Sequence, residues 1–194
     1  MPSAKLFSYN KDYMDIIKLA VSMPYGSNPS VKTVKNVIES NHLSVIEHCN
    51  AIFVVSCSVR VLGQITRHRH LHFTVQSARG KSPDTFIEPK TFNRYPLENT
   101  TCSLDYFDKL LDEDYALEDA AYYLPQGVET NMVVSGNLRS WYEWLPKRLC
   151  QRAMPEHRKL AELIHNELRK AMPEIFDRSF MNCANCKERS CKFK

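Results

Sequence analysis

The sequence predicts one mixed α/β domain, and three observations carry that reading. Apolar residues recur at helical spacing in several separate segments, β-branched and aromatic residues concentrate at 50–58 and again briefly at 131–134, and 194 residues suit one sizeable core better than two. With 43% hydrophobic residues, 25% charged and five Gly, the composition is that of an ordinary globular protein. A net charge of +4 admits anionic small molecules but is too mild for a dedicated nucleic-acid binder. Seven Cys with no apolar signal peptide point to reduced thiols in the cytoplasm, and no apolar run approaches membrane-spanning length. Internal repeats are absent, and the lack of a Gly-x-Gly-x-x-Gly argues against a Rossmann dinucleotide domain.

Taken in order, the first forty residues read as helical. Tyr13, Ile16, Ile17 and Ala20 mark one helix, and Pro24, Gly26, Asn28 and Pro29 break it. Ser30 then caps a second helix carrying Val31, Val34, Val37 and Ile38, which ends near Ser40 and Asn41. Asn50 to Ser58 is a buried strand. Val59, Leu62 and Ile65 suggest a short helix whose other side offers Arg60, Gln64 and Arg67. Residues 80–100, punctuated by Pro83, Pro89 and Pro96, read as a loop, and Ser103 as the N-cap of an acidic helix. That helix carries Leu104, Phe107, Leu110 and Leu111, then continues past a kink through Leu117, Ala120, Ala121 and Leu124 to Pro125. Asn131 to Val134 is a short strand. Trp141, Trp144, Leu145, Arg148 and Leu149 share one helical face, with Pro146 expected to kink or split the helix. Pro155 opens a last long helix along Leu160, Leu163, Ile164 and Leu168, closed before Pro173.

The densest chemistry lies at Arg67-His68-Arg69-His70-Leu71-His72-Phe73-Thr74-Val75-Gln76-Ser77-Ala78-Arg79. Three arginines, three histidines, a serine and a threonine fall within thirteen residues that leave an apolar run. Guanidinium forks grip phosphate oxygens bidentately and hydroxyls complete such a cradle. A solvated basic loop or a nucleic-acid patch is the plain alternative for a basic cluster. His42, at a helix exit, is by the same standard a C-terminal charge partner, and Arg148 an arginine stacked on tryptophan.

Arg67-His68-Arg69 followed after seven residues by Ser77-x-Arg79 resembles the signature of the flavin-dependent thymidylate synthases. Other blocks agree in order: His42-Leu43-Ser44-Val45-Ile46-Glu47-His48, Gln64 three residues before Arg67, Asn137-Leu138-Arg139-Ser140, and Arg148-Leu149-Cys150-Gln151-Arg152-Ala153-Met154-Pro155-Glu156. The resemblance implies helices around an antiparallel sheet in one domain over 1–180, the thymidylate synthase-complementing-protein-like fold, with a Cys-rich basic tail at 181–194. It implies a homotetramer with FAD and nucleotide at subunit interfaces. It also implies reductive methylation of dUMP to dTMP, with methylenetetrahydrofolate giving the carbon and NADPH reducing FAD. Arg67, His68, Arg69, Ser44, Asn137 and Glu143 would then hold FAD, with His42 against the flavin and folate rings. Gln64, Ser77, Arg79 and Arg148 would hold dUMP, Arg148 against the uracil. No catalytic thiol is implied.

Some positions depart from the family pattern. His72, Thr74 and Val75 stand where the family usually has Ser, Asn/Ser and Glu/Gln, Glu143 stands where an Asn often faces the flavin, and Met154 replaces a Gln. Ala121 occupies the place of a nucleotide-binding arginine. Losing one charged phosphate contact costs about 2 kcal/mol, roughly thirtyfold in affinity, unless His72 or Arg152 compensates. These departures leave open a relative that acts on another pyrimidine nucleotide or installs hydroxymethyl, and a flavin-free nucleic-acid binder of the same fold. In the tail, Cys183, Cys186 and Cys191 read as reduced thiols on a frayed end, since zinc would require a fourth ligand from elsewhere.

Overall fold

A computed structural model describes residues 1–24, 26–77, 85–89, 94–181, 183–184 and 186–193, with no side chain described at 94–97. Four strands form one fully antiparallel sheet in the order β1 (Ser3–Tyr9), β2 (Asn50–Ser58), β4 (Glu129–Asn137), β3 (His72–Val75). β2 and β4 pair along their whole length, from Asn50 opposite Asn137 to Ser58 opposite Glu129. Side chains on a strand alternate between faces. Ala51, Phe53, Val55 and Cys57 of β2, with Met132 and Val134 of β4, therefore turn together into the core. The opposite face stays open, and Val54 and Val133, paired across the two strands, are 42% and 43% exposed.

Helices close the buried face. The first pair is α1 (Tyr13–Ser22) and α2 (Val31–Glu39), the latter capped by Ser30 Oγ, which accepts from Thr33 N at 3.1 Å. α3 (Val59–Ile65) follows β2 directly. α4 (Arg94–Asp112) and α5 (Leu117–Ala120) form a small outlying core around Phe107, Leu110 and Ala120. α6 (Leu138–Leu149) and α7 (Pro155–Ala171), with the short α8 (Pro173–Phe176), supply the main cover. Trp141 seats α6 on the sheet: its indole Nε1 donates to Ala51 O at 3.2 Å and its ring meets Phe53 edge-on at 5.1 Å. From α7, Leu160, Ala161, Ile164 and Leu168 are fully buried.

Six sequence expectations are corrected here. The first residues are not helical, because Ser3–Tyr9 is an edge strand that buries only Ala4, Leu6 and Tyr9 partly and so gives a weak pattern. The basic stretch contains a second edge strand, β3, at His72–Val75. The helix expected from Ser103 starts at Arg94, since Pro96 sits in its first turn where its missing N–H is not needed; Ser103 Oγ instead donates to Asn99 O at 2.9 Å. It also stops at Asp112, and a turn with Asp114 at φ 60° separates it from α5. α6 runs unsplit through Pro146, and β4 is nine residues long rather than four.

Candidate active site

The site is built where loop 67–71 folds back over α6. α3 is fixed first: Ser58 Oγ caps it by accepting from Val61 N at 3.2 Å, while Glu156 of α7 accepts from Ser58 N at 2.8 Å and Ser58 Oγ at 2.7 Å. Past α3, His68 N donates to Ile65 O and Leu71 N to His68 O, both at 3.1 Å, which turns the chain back. Leu71 then lies on Gly136, where a Cβ would meet Leu71 Cδ2 at 2.5 Å. Glycine there lets the loop press against the β4–α6 junction. Asn137 caps α6, its Oδ1 accepting from Ser140 N and Ser140 Oγ, both at 2.8 Å.

Loop and helix enclose a cavity of ≈ 250 Å³ whose walls include Arg67, His68 and Arg69 on one side and Ser140, Glu143 and Lys147 on the other. Arg67 and Arg69 are exposed, and His68 is half-buried. A neighbouring cavity of ≈ 450 Å³ shares Glu143 and Lys147 and is bordered by Asn41, Leu43 and Arg178. Arg139 braces the rim, donating through Nε to Glu143 Oε1 at 2.7 Å and through Nη1 to Glu47 Oε1, which ties the short 3-10 helix Leu43–Ile46 to α6. The Glu143 and Glu47 hydrogen bonds hold the Arg139 guanidinium above its ordinary pKa.

Behind the cavity lie two partly buried polar groups. Arg148 donates through Nε at 3.0 Å to His68 Nε2, with Nη2 at 2.8 Å from the same atom. A guanidinium has no acceptor, so His68 Nε2 must be unprotonated and its proton sits on Nδ1. Burial first, then the charges of Arg148 and Lys147, push His68 from 6.5 down to about 4. Burial likewise lowers Arg148. His157 of α7 is fully buried, and its Nδ1 lies 3.2 Å from Gln64 Oε1, while Gln64 Nε2 faces Met154 Sδ at 3.3 Å. Burial, then Arg148 and His68, push His157 down to about 3. Among the described residues, His157 Nε2 and Trp144 Nε1 are buried polar atoms without a hydrogen-bond partner.

The structure thus gathers Arg67, His68, Arg69 and Glu143 around one cavity, with Asn137 adjacent through Ser140 and Arg148 reaching it through His68. Arg148 is bonded to a histidine rather than stacked on tryptophan. Gln64 faces inward to His157 and Met154. His42 and Ser44 are exposed at the 3-10 helix beside the second cavity. Ser77 is exposed just past β3 and does not line the ≈ 250 Å³ cavity, and Arg79 lies outside the described residues. Its neighbour Gln76 instead lines a third cavity of ≈ 290 Å³ together with Ala121, Leu124 and Glu129. Arg152, which could stand in for the arginine absent at Ala121, pairs through Nη1 with Glu188 Oε2 at 2.8 Å in a half-exposed ion pair. Sequence reading missed Lys147, Ser140 and Trp144. Their spacing with Glu143 puts all four on one helical face, a signal overshadowed by the face of Trp141 and Arg148. Nothing in the sequence marked His157.

Comparison with known proteins accords with this geometry. The family described as "Thymidylate synthase complementing protein" matches residues 5–174. The chain is 30% identical over 200 residues to a flavin-dependent thymidylate synthase of Sulfolobus acidocaldarius, covering 92% of this chain and 77% of that one. It is 31% identical over 204 residues to a flavin-dependent thymidylate synthase of Saccharolobus solfataricus, covering 94% and 78%. Among solved structures, thymidylate synthase X of Helicobacter pylori with FAD and dUMP has the same fold, with a TM-score of 0.79 at 19% identity and coverage of 91% of this chain and 98% of the other. So does a UMP/dUMP methylase of Streptomyces cacaoi bound with 5-Br dUMP, with a TM-score of 0.77 at 18% identity and coverage of 91% and 94%. With the family match running through nearly the whole sheet-and-helix core, the chain belongs to the thymidylate synthase complementing protein family, that of the flavin-dependent thymidylate synthases.

Proposed function

We propose that this chain binds FAD beneath loop 67–71 and carries out FAD-dependent reductive methylation of dUMP to dTMP, with methylenetetrahydrofolate as carbon donor and NADPH as reductant. The carrying observation is the ≈ 250 Å³ cavity, where Arg67, Arg69 and Lys147 bring three cationic donors to one concavity. That donor set fits a cofactor bearing a pyrophosphate. Bound FAD supplies hydride-transfer chemistry, and the protein supplies position and electrostatics. No thiol lines the cavity, which suits a reaction without a cysteine nucleophile.

Each side chain then has a part. Arg67 and Arg69 hold phosphate oxygens. Asn137 offers its amide NH2, its Oδ1 being occupied by Ser140. His42, Ser44 and Glu143 complete the rim toward the second cavity. Arg148, partly desolvated and held by His68, is a positioned cation that would stabilise negative charge developing on the base. His68 is the neutral acceptor that keeps it aimed in the absence of nucleotide. Gln64, Ser77 and Arg79 supply further nucleotide contacts. Ser77 stands apart from the cavity of Arg67 and Glu143, which supports a site shared between subunits of a homotetramer, and the open sheet face leaves room for such neighbours.

A second reading is favoured by Ala121 and Val75: altered nucleotide contacts suit UMP in place of dUMP, or hydroxymethyl in place of methyl. The test is the visible spectrum of the purified protein with FAD, titrated in parallel with dUMP and UMP, followed by product analysis. Flavin bands that respond to dUMP, with dTMP formed on adding methylenetetrahydrofolate and NADPH, bear out the first reading. A response to UMP alone, or a hydroxymethylated product, favours the second. Colourless protein that takes up no FAD sinks both and leaves a nucleic-acid binder of the same fold.

A further inference from the structure

The seven cysteines fall into three groups. Cys49 and Cys57 are buried in the core, where burial pushes their thiols up to about 11 and about 12, so they are inert packing groups. Cys102 is exposed on α4. The other four, Cys150, Cys183, Cys186 and Cys191, line a single cavity of ≈ 260 Å³, walled otherwise by Gln151 and by apolar side chains such as Phe180 and Phe193.

We propose that these four thiols form a tetrahedral tetrathiolate zinc site that fastens the C-terminal tail to the end of α6. The fourth ligand, which the tail's own sequence lacks, is Cys150, delivered by the C-cap position of α6. Cys183-x-x-Cys186 has the spacing at which two thiolates from one tight turn share a zinc, and Cys186 N already donates to Cys183 O at 3.3 Å across that turn. The tail needs a fastening. Past α8 no helix or strand occurs among the described residues, and the Arg152–Glu188 pair that reaches back to the body is about half-exposed, which contributes little.

Charge agrees as well. Four thiolates and one Zn²⁺ leave two net negative charges, and Lys187, Arg189 and Lys192 lie exposed in the same stretch to offset them. The apolar side chains of the wall would limit water access to such a centre on one side, while Cys186 stays exposed on the other. Among the described residues no three His, Cys, Asp or Glu side chains converge to hold an ion, so the proposed site requires the tail to shift until the four thiols meet at one metal. Metal binding and ordering of the tail are then one event.

The test is the zinc content of the full-length chain, purified without chelator, and of its Cys150→Ser, Cys191→Ser and Cys102→Ser variants. The expected result is about one zinc per chain in the wild type and in Cys102→Ser, with a roughly tenfold loss in the other two. Cobalt loaded in place of zinc should give the long-wavelength bands of a tetrahedral tetrathiolate, beyond the flavin absorption. Because Cys191 lies past the last helix, its substitution leaves the core intact if Cys150→Ser fails to fold. Wild-type chain that holds less than about a tenth of an equivalent after zinc loading overturns the proposal. So does a Cys150→Ser protein that keeps its zinc, or a disulfide among the four thiols found by mass spectrometry of native protein.

Discussion

Two strand-to-helix junctions, one at each end of the central strand pair, use the same device to different ends. At β2–α3 the cap is Ser58 and at β4–α6 it is Asn137; both hold extended backbone, and each accepts from the backbone N–H three residues on. Ser58 is 1% exposed, and the Glu156 carboxylate takes up both of its donors. Asn137 is half-buried beside the cavity, its Oδ1 engaged and its NH2 directed to no protein acceptor in the cap. The closed junction is an anchor for the loop that follows. The open one leaves a donor beside the cavity proposed to take FAD.

The comparison can be broken most forcefully at the anchor. Glu156→Ala strips both acceptors from Ser58, and a stability loss of about 3 kcal/mol is expected by urea unfolding, with FAD affinity little changed at permissive temperature. A larger effect on FAD affinity than on stability would show that the closed junction is not merely an anchor. Next in size is Arg148→Ala, expected to slow dTMP formation roughly a hundredfold while moving the melting temperature little, because its held charge is of use mainly when a base is present.

Asn137→Asp sharpens the contrast further. A carboxylate keeps the cap while removing the NH2, so melting should stay close to wild type while FAD binds about tenfold more weakly in a fluorescence titration. Asn137→Ala should in addition lose about 1 kcal/mol of stability.

The smallest effect is one of pH. His68 and His157 are neutral in the folded chain, their pKa values lowered to about 4 and about 3, whereas unfolded imidazoles take protons near 6.5. The unfolded state therefore binds more protons below that value, and stability falls as pH drops from 6.5 toward 4 and then 3. From pH 7 to pH 6 His157 accounts for at most about 0.7 kcal/mol. A His157→Gln chain should show a shallower decline in unfolding free energy over that interval, and an unchanged decline would refute the assignment.

Local signals were legible and paired ones were not. Ser30 as a cap, Pro155 as a first helical residue and the run Asn50–Ser58 each depend on neighbours in sequence, and all stand in the structure as read. β1 and β3 escaped because edge strands bury one side of a short segment, and α4 because a proline in a first turn looks the same as one in a loop. The Arg67-His68-Arg69 block and the position of Glu143 beyond the Asn137 block lie far apart in the chain, and the fold brings these four residues to one cavity. Which groups those residues would touch lay beyond reach. The Arg148–His68 and Gln64–His157 contacts depend on how α6 and α7 settle against α3, as does the meeting of Cys150 with the tail.

The open sheet face has a consequence for any measurement on this chain. A row of side chains crosses it from Lys5 through Val54 and Val133 to Thr74, with the two valines nearly half uncovered. If copies of the chain cover that row, folding and association become linked by mass action, and unfolding midpoints climb with protein concentration. Dilution by itself would then weaken FAD retention, so an affinity read at nanomolar protein would report subunit separation as well as cofactor release.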